Sequence, residues 1–168
     1  MVRPRVSILL AAALALATIL LSAAVSRRSN AEGPNPAAGL RFELYEPQKA
    51  VYHVSTGGGL FGRDHRRLAD VLQNHVDAVG AGFADLRVVL QGDGVDLLVD
   101  ALADARLAER LAWLRKAGVR FLPCYNTLLW RRLDYARDLF GVKREDVVSA
   151  GVAEIGRLQA EGFAYIRF

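Results

Sequence analysis

Cysteine occurs once in the 168 residues, as Cys124. One thiol can close no internal disulfide and cannot supply a cysteine-rich zinc site. Histidine is nearly as scarce. His53, His65 and His75 fall on a predicted strand, a loop and a helix, without the i, i+4 pairing of a helical zinc motif, so no metal site and no cofactor is expected. His53 reads instead as a satisfied buried imidazole, and His75 as part of the first helix's apolar stripe. No G-x-S-x-G elbow is present, which leaves hydrolase chemistry without its nucleophile turn.

Positive charge is also less abundant than the net value of +4 suggests. Arg3, Arg5, Arg27 and Arg28 all lie within residues 1–31, a segment with no acid; with them set aside, Lys and Arg number 18, the same as Asp and Glu. The remaining chain is formally neutral, and a nucleic-acid partner, which would need many phosphate-neutralising cations, is not expected.

What is present falls into three parts. Ser7 to Val25 (SILLAAALALATILLSAAV) is an uncharged run of nineteen residues between basic flanks. It reads as an export signal, with small-residue cleavage sites at Ser22-Ala23-Ala24 and Ser29-Asn30-Ala31. Uncleaved, it is long enough at about 1.5 Å per residue to span a core of about 30 Å and act as an anchor. Residues 1–31 are therefore assigned as leader, with cleavage favoured, and the protein is expected to be periplasmic or otherwise exported. A membrane partner follows only if the leader stays. Ser26 to Pro47 holds three of the five prolines and no sustained apolar period, so residues 32–47 read as a linker.

Residues 48–168 alternate short Val-, Tyr- and Phe-rich runs with stretches of helical spacing. Strands are predicted at Lys49–Ser55, Asp85–Gln91, Val119–Pro123, Asp146–Ser149 and Phe163–Phe168. The first helix is predicted to start on Asp64 as its cap and to carry Leu68, Val71, Leu72, His75 and Val79. Strands separated by helices require right-handed crossovers. The expectation is a three-layer α/β/α domain with a mostly parallel sheet of about five strands, its binding crevice at the carboxyl ends of the strands.

Three loops belong on that edge: Thr56–Gly62, Gln91–Asp93 and Pro123–Thr127. Cys124 follows a strand and precedes a helix whose first N–H groups favour a thiolate. Gly57-x-Gly59-x-x-Gly62 satisfies G-x-G-x-x-G between a strand and a helix, but no ribose-binding acid follows about 20 residues on, and the domain is small for a dehydrogenase. Asp93 reads first as a turn former within Gly-Asp-Gly. Arg131 and Arg132 read as a solvated helix face. Tyr125, Trp130, Tyr135 and Phe140 cluster after the cysteine, where they suit a pocket, a subunit interface or core packing.

Four blocks carry a resemblance: VYHVSTGG at Val51–Gly58, VLQGDGVDLL at Val89–Leu98, GVRFLPCYNTL at Gly118–Leu128 and GVAEIGRLQAEGFAYI at Gly151–Ile166. Together they resemble the DsrE/DsrF-like family, from about Lys49 to the C-terminus. The resemblance implies a small oligomeric α/β domain, and its sulfur-relaying members carry sulfur as a cysteine persulfide. It implies Cys124 as the sulfur-bearing residue, with Asn126, Thr127, Gly92, Asp93, Gly57 and Gly58 as supporting or substrate-binding candidates. Two functions follow: an exported persulfide carrier served by a sulfur donor or acceptor protein, or a non-catalytic oligomeric binding module of the same fold.

Overall fold

The computed structural model describes residues 45–168. The segment assigned as leader, and the linker as far as residue 44, lie outside the described residues. Four parallel strands form one sheet in the order β3-β2-β1-β4, with β1 at Gln48–Val54, β2 at Ala84–Leu90, β3 at Arg120–Pro123 and β4 at Ala164–Arg167. Helices α1 (Arg63–Val79), α2 (Asp96–Asp100), α3 (Ala105–Lys116), α4 (Tyr125–Arg131) and α5 (Gly151–Ala160) connect them. Among the described residues no helix is long and apolar enough to cross a membrane.

Strand alternation divides the sheet residues between two cores. On one face Ala50, Tyr52, Val54, Leu86, Val88, Leu90 and Phe121 pack with the apolar stripes of α1 and α3. Leu68, Leu72, Val76 and Val79 recur three to four residues apart along α1, which is the spacing one buried helical face requires. Gly80, at φ 96°, ends that helix in a conformation open to glycine. On the other face Val51, Val89 and Leu122 meet Ile155, Leu158 and Phe163, contributed by α5 and the residue before β4. The three-layer α/β architecture follows, with one outer layer much thinner than the other.

Two local expectations differ from the structure. The fifth strand, expected at Asp146–Ser149, is reduced to one parallel bridge between Cys124 and Val148. Asp146 belongs to a 3-10 turn and accepts from the Lys143 N–H, and Ala150 already caps α5, so only Val148 runs alongside β3. Gly62, at φ 66°, occupies the N-cap of α1, with Asp64 inside the first turn. The left-handed turn through Phe61 and Gly62 brings the chain into the helix two residues earlier than the sequence suggests.

Within α5, Gly156 is exposed, and a methyl group added there meets nothing within 4 Å. Gly156→Ala is therefore expected to stabilise the domain by about 0.5–1 kcal/mol, because alanine restricts the unfolded chain while fitting the helix. An unchanged or lower urea midpoint would contradict this.

Candidate functional site

The carboxyl ends of β1, β2 and β3 meet the amino end of α5 around a recess of about 340 Å³, lined by Ser55, Gln91, Gly92, Cys124, Asn126, Thr127, Ala150, Gly151 and Val152. Cys124 is 5% exposed. Its position is fixed through its backbone: its N–H donates to the Leu90 carbonyl (2.9 Å) and its own carbonyl accepts from Leu128 (3.1 Å). The chain thus passes from sheet to helix at the sulfur-bearing residue itself.

One backbone hydrogen bond reaches the sulfur, and the start of α4 lies close to it. The Gly151 N–H, first in α5, points to Sγ at 3.2 Å. Burial pushes the Cys124 thiol up, but the Thr127 and Gly151 N–H groups, the Thr127 hydroxyl and the Asn126 N–H together hold it below the ordinary thiol value. Thr127 is itself oriented, because its Oγ1 accepts from the Gly92 N–H at 3.0 Å and so leaves the hydroxyl hydrogen for the sulfur. These donors stabilise an anion without a cationic side chain. Arg131, the nearest candidate in sequence, is engaged with Asp96 (2.7 Å) and the Gly92 carbonyl (3.4 Å).

A second layer positions Gln91. Its amide nitrogen lies 2.6 Å from His53 Nε2, and His53 Nδ1 lies 2.8 Å from the Tyr165 hydroxyl. A neutral imidazole accepting at Nε2 and donating at Nδ1 satisfies both contacts. Burial foremost, and Arg167 secondarily, lower the His53 pKa and favour that neutral form. His75 is likewise satisfied, between the Tyr52 hydroxyl (2.8 Å) and Gln48 Oε1 (2.9 Å). Among the described residues no group of three or more His, Cys, Asp or Glu is placed to hold a metal ion.

The sequence-derived candidates separate in space. Cys124, Asn126, Thr127 and Gly92 converge on the recess, whereas Gly57, Gly58 and Asp93 do not line it. Gly57 lies against Asp93 and Asp96; Gly58 sits on the His65 ring, where an added methyl would come within 2.6 Å of Nδ1; Asp93 is exposed. Gly58 thus serves close packing, a methyl at Gly57 would make only ordinary contacts, and Asp93 sits in the Gly92–Val95 turn. The glycine loop also differs from a phosphate cradle. The Gly62 and Asp64 N–H groups donate to the Gly59 and Gly58 carbonyls, that of Arg63 to Leu60, and the Asp64 carboxylate crowds Gly59. Amides needed for a pyrophosphate are spent within the loop, and an acid stands where the anion would go.

Sequence reasoning passed over Gly151, Gln91 and Ser55 as site residues. Gly151 opens one of the four blocks, and a glycine at a helix start beside a strand end was the available signal. An added methyl there would meet Gln91 Oε1 at 2.5 Å and Val89 Cγ1 at 3.2 Å, so glycine lets the helix approach the sulfur.

No curated protein matches the chain. Among solved structures it is similar to MTH1491, a protein of unknown function from Methanobacterium thermoautotrophicum, at 31% identity and a TM-score of 0.56, over 72% of this chain and 99% of that one. The model of the DsrE/DsrF-like family matches residues 49–168, which contain the whole recess, and the chain belongs to that family.

Proposed function

We propose that the protein binds and relays sulfane sulfur as a persulfide on Cys124. The observation that carries this reading is the Gly151 N–H donating to Sγ in a recess open to small reactants, where Thr127 and Asn126 also lower the thiol pKa. A thiolate is the attacking species in sulfur exchange, and these donors favour it. In the loading step the Cys124 thiolate attacks the outer sulfur of a donor R–S–SH. A new S–S bond forms, the donor's S–S bond breaks, and R–S⁻ leaves, with no net oxidation. Transfer to an acceptor thiolate is the same exchange in the other direction. The added sulfur extends the reach of a nearly buried residue by about 2 Å. On this reading the chain is exported, works as a homo-oligomer, and exchanges sulfur with a donor or acceptor protein outside the cytoplasm.

Intact mass of wild type and Cys124→Ser, before and after exposure to polysulfide, tests the proposal. Wild type is expected to gain one sulfur atom, reversibly with reductant, and Cys124→Ser none. An inert wild-type thiol would overturn the carrier reading in favour of the binding module, whose partner binding would survive Cys124→Ser.

A further inference from the structure

The recess has two polar ends, of which the Cys124 thiolate uses one. At that end the Gly151 N–H donates to Sγ at 3.2 Å. At the other stands the Gln91 carboxamide, which lines the same hollow as Cys124. Its Oε1 is turned toward Gly151, where an added methyl would meet it at 2.5 Å. Gly151 thus brings the two ends together, its N–H on the thiol sulfur and its α-carbon beside the amide oxygen. Cys124 is the one titratable side chain among the residues that line the recess, so no charged group there competes with the amide.

The orientation of the amide is imposed from outside the recess. His53 and Gln91 come two residues after Val51 and Val89, which pack under α5, so alternation puts both on that face of the sheet. Tyr165, on β4, pairs with Val51 and joins them there. The Tyr165 hydroxyl takes the His53 Nδ1 proton (2.8 Å), which leaves Nε2 as an acceptor 2.6 Å from the Gln91 amide nitrogen. Arg167, also on β4, is the charged group that bears on the imidazole, and it opposes a second positive charge; on α5 the nearest acid in sequence, Glu154, is taken by Arg157. With its nitrogen held by neutral His53, Gln91 leaves its oxygen to the recess, where Oε1 accepts no hydrogen bond among the described residues.

We infer that Gln91 Oε1 accepts the S–H hydrogen of the transferred sulfur and keeps that sulfur protonated while it changes hands. This rests on the sulfur-carrier reading of Cys124. A persulfide anion carries its charge on the sulfur that must be attacked and so repels a thiolate; the protonated form does not. A carbonyl oxygen at that point favours the protonated form, because it bonds the neutral group and opposes the anion. In loading, Cys124 thiolate attacks the outer sulfur of R–S–SH, the donor's S–S bond breaks, R–S⁻ leaves with the electron pair, and the proton stays on the transferred sulfur. In discharge the same contact holds Cys124–S–SH ready for an acceptor thiolate, and the inner sulfur leaves as a thiolate onto the Gly151 N–H. His53 and Tyr165 are positioning residues that act through Gln91.

Alkylation of polysulfide-loaded protein by iodoacetamide across pH, followed by intact mass, reads the protonation of the outer sulfur. The same titration of unloaded protein reads the thiol. In Gln91→Leu the persulfide midpoint is expected to fall, so that on its acid side the loaded protein reacts roughly fivefold faster than wild type. The unloaded thiol, held by Gly151, Thr127 and Asn126, is expected to keep its wild-type profile. His53→Phe leaves the lining of the recess intact and frees the amide to turn, and a persulfide shift of the same sign is expected. A persulfide profile unchanged in either variant, or thiol and persulfide profiles shifted together, would overturn the role of Gln91 and leave the carrier reading standing. Wild type that takes up no sulfur would refute the carrier reading, and this role with it.

Discussion

Gly151→Ala is expected to slow alkylation of Cys124 by iodoacetamide at pH 7 by roughly tenfold or more, because one charge-assisted hydrogen bond is worth about 1.5–3 kcal/mol. The added methyl lands on Gln91 Oε1 and Val89 Cγ1. Val89 is fully buried in the sheet and cannot retreat. Gln91 could swing aside only by leaving His53, which is itself held by Tyr165. The start of α5 therefore has to move, and with it the N–H that donates to Sγ. The variant's rate should approach that of wild type as pH rises past the ordinary thiol range, since the deficit lies in thiolate population. Gly151→Ala combined with Gln91→Ala removes the closer of the two contacts and is expected to recover part of the rate. A pH–rate profile identical to that of wild type would show that the α5 amide does not stabilise the thiolate.

How much of this arrangement could be read from the sequence depended on whether a residue's role was local. β1, β2 and β3 were legible because their apolar runs are bounded by glycine or followed by helical spacing, and Cys124 stood out by lying at one such boundary. Asn126 and Thr127 entered through the family resemblance, and they lie at the recess because the first residues of a helix stay close to its cap in space as well as in sequence. The segment at Asp146–Ser149 has strand-like residues, yet its pairing is limited by a turn on one side and a helix start on the other, both set by tertiary contacts. Gly58 looked like a ligand glycine because close approach to a ligand and close approach to a histidine ring place the same demand on a residue. Only the position of His65, seven residues further on, separates the two. Gly151 is 27 residues from the sulfur it contacts, and local pattern carries no trace of that distance.

The largest loss of stability is expected at Gly94, whose replacement by alanine should cost about 3 kcal/mol, read as a lowered urea midpoint with unchanged slope. Its added methyl would fall on the Val54 carbonyl oxygen, well inside van der Waals contact, with Val54 C at 2.6 Å and Ser55 N at 3.1 Å. All three are backbone atoms, so no rotamer change relieves the clash. The Val54 carbonyl already accepts from the Gln91 N–H at 3.0 Å, which pins it from the β2 side. The Gly92–Val95 turn must then lift away from β1, taking the Gly92 N–H from Thr127 and loosening the hydroxyl that faces the sulfur. Reactivity of the thiol should consequently fall together with stability. Asp93→Ala, in the same turn but exposed and outside the recess, should change the stability by no more than about 0.5 kcal/mol and leave alkylation unaltered. The Gly-Asp-Gly block would then act on the chemistry through its glycines, which let β1, the turn and Thr127 close on one another, and a large loss of reactivity in Asp93→Ala would refute that division of roles.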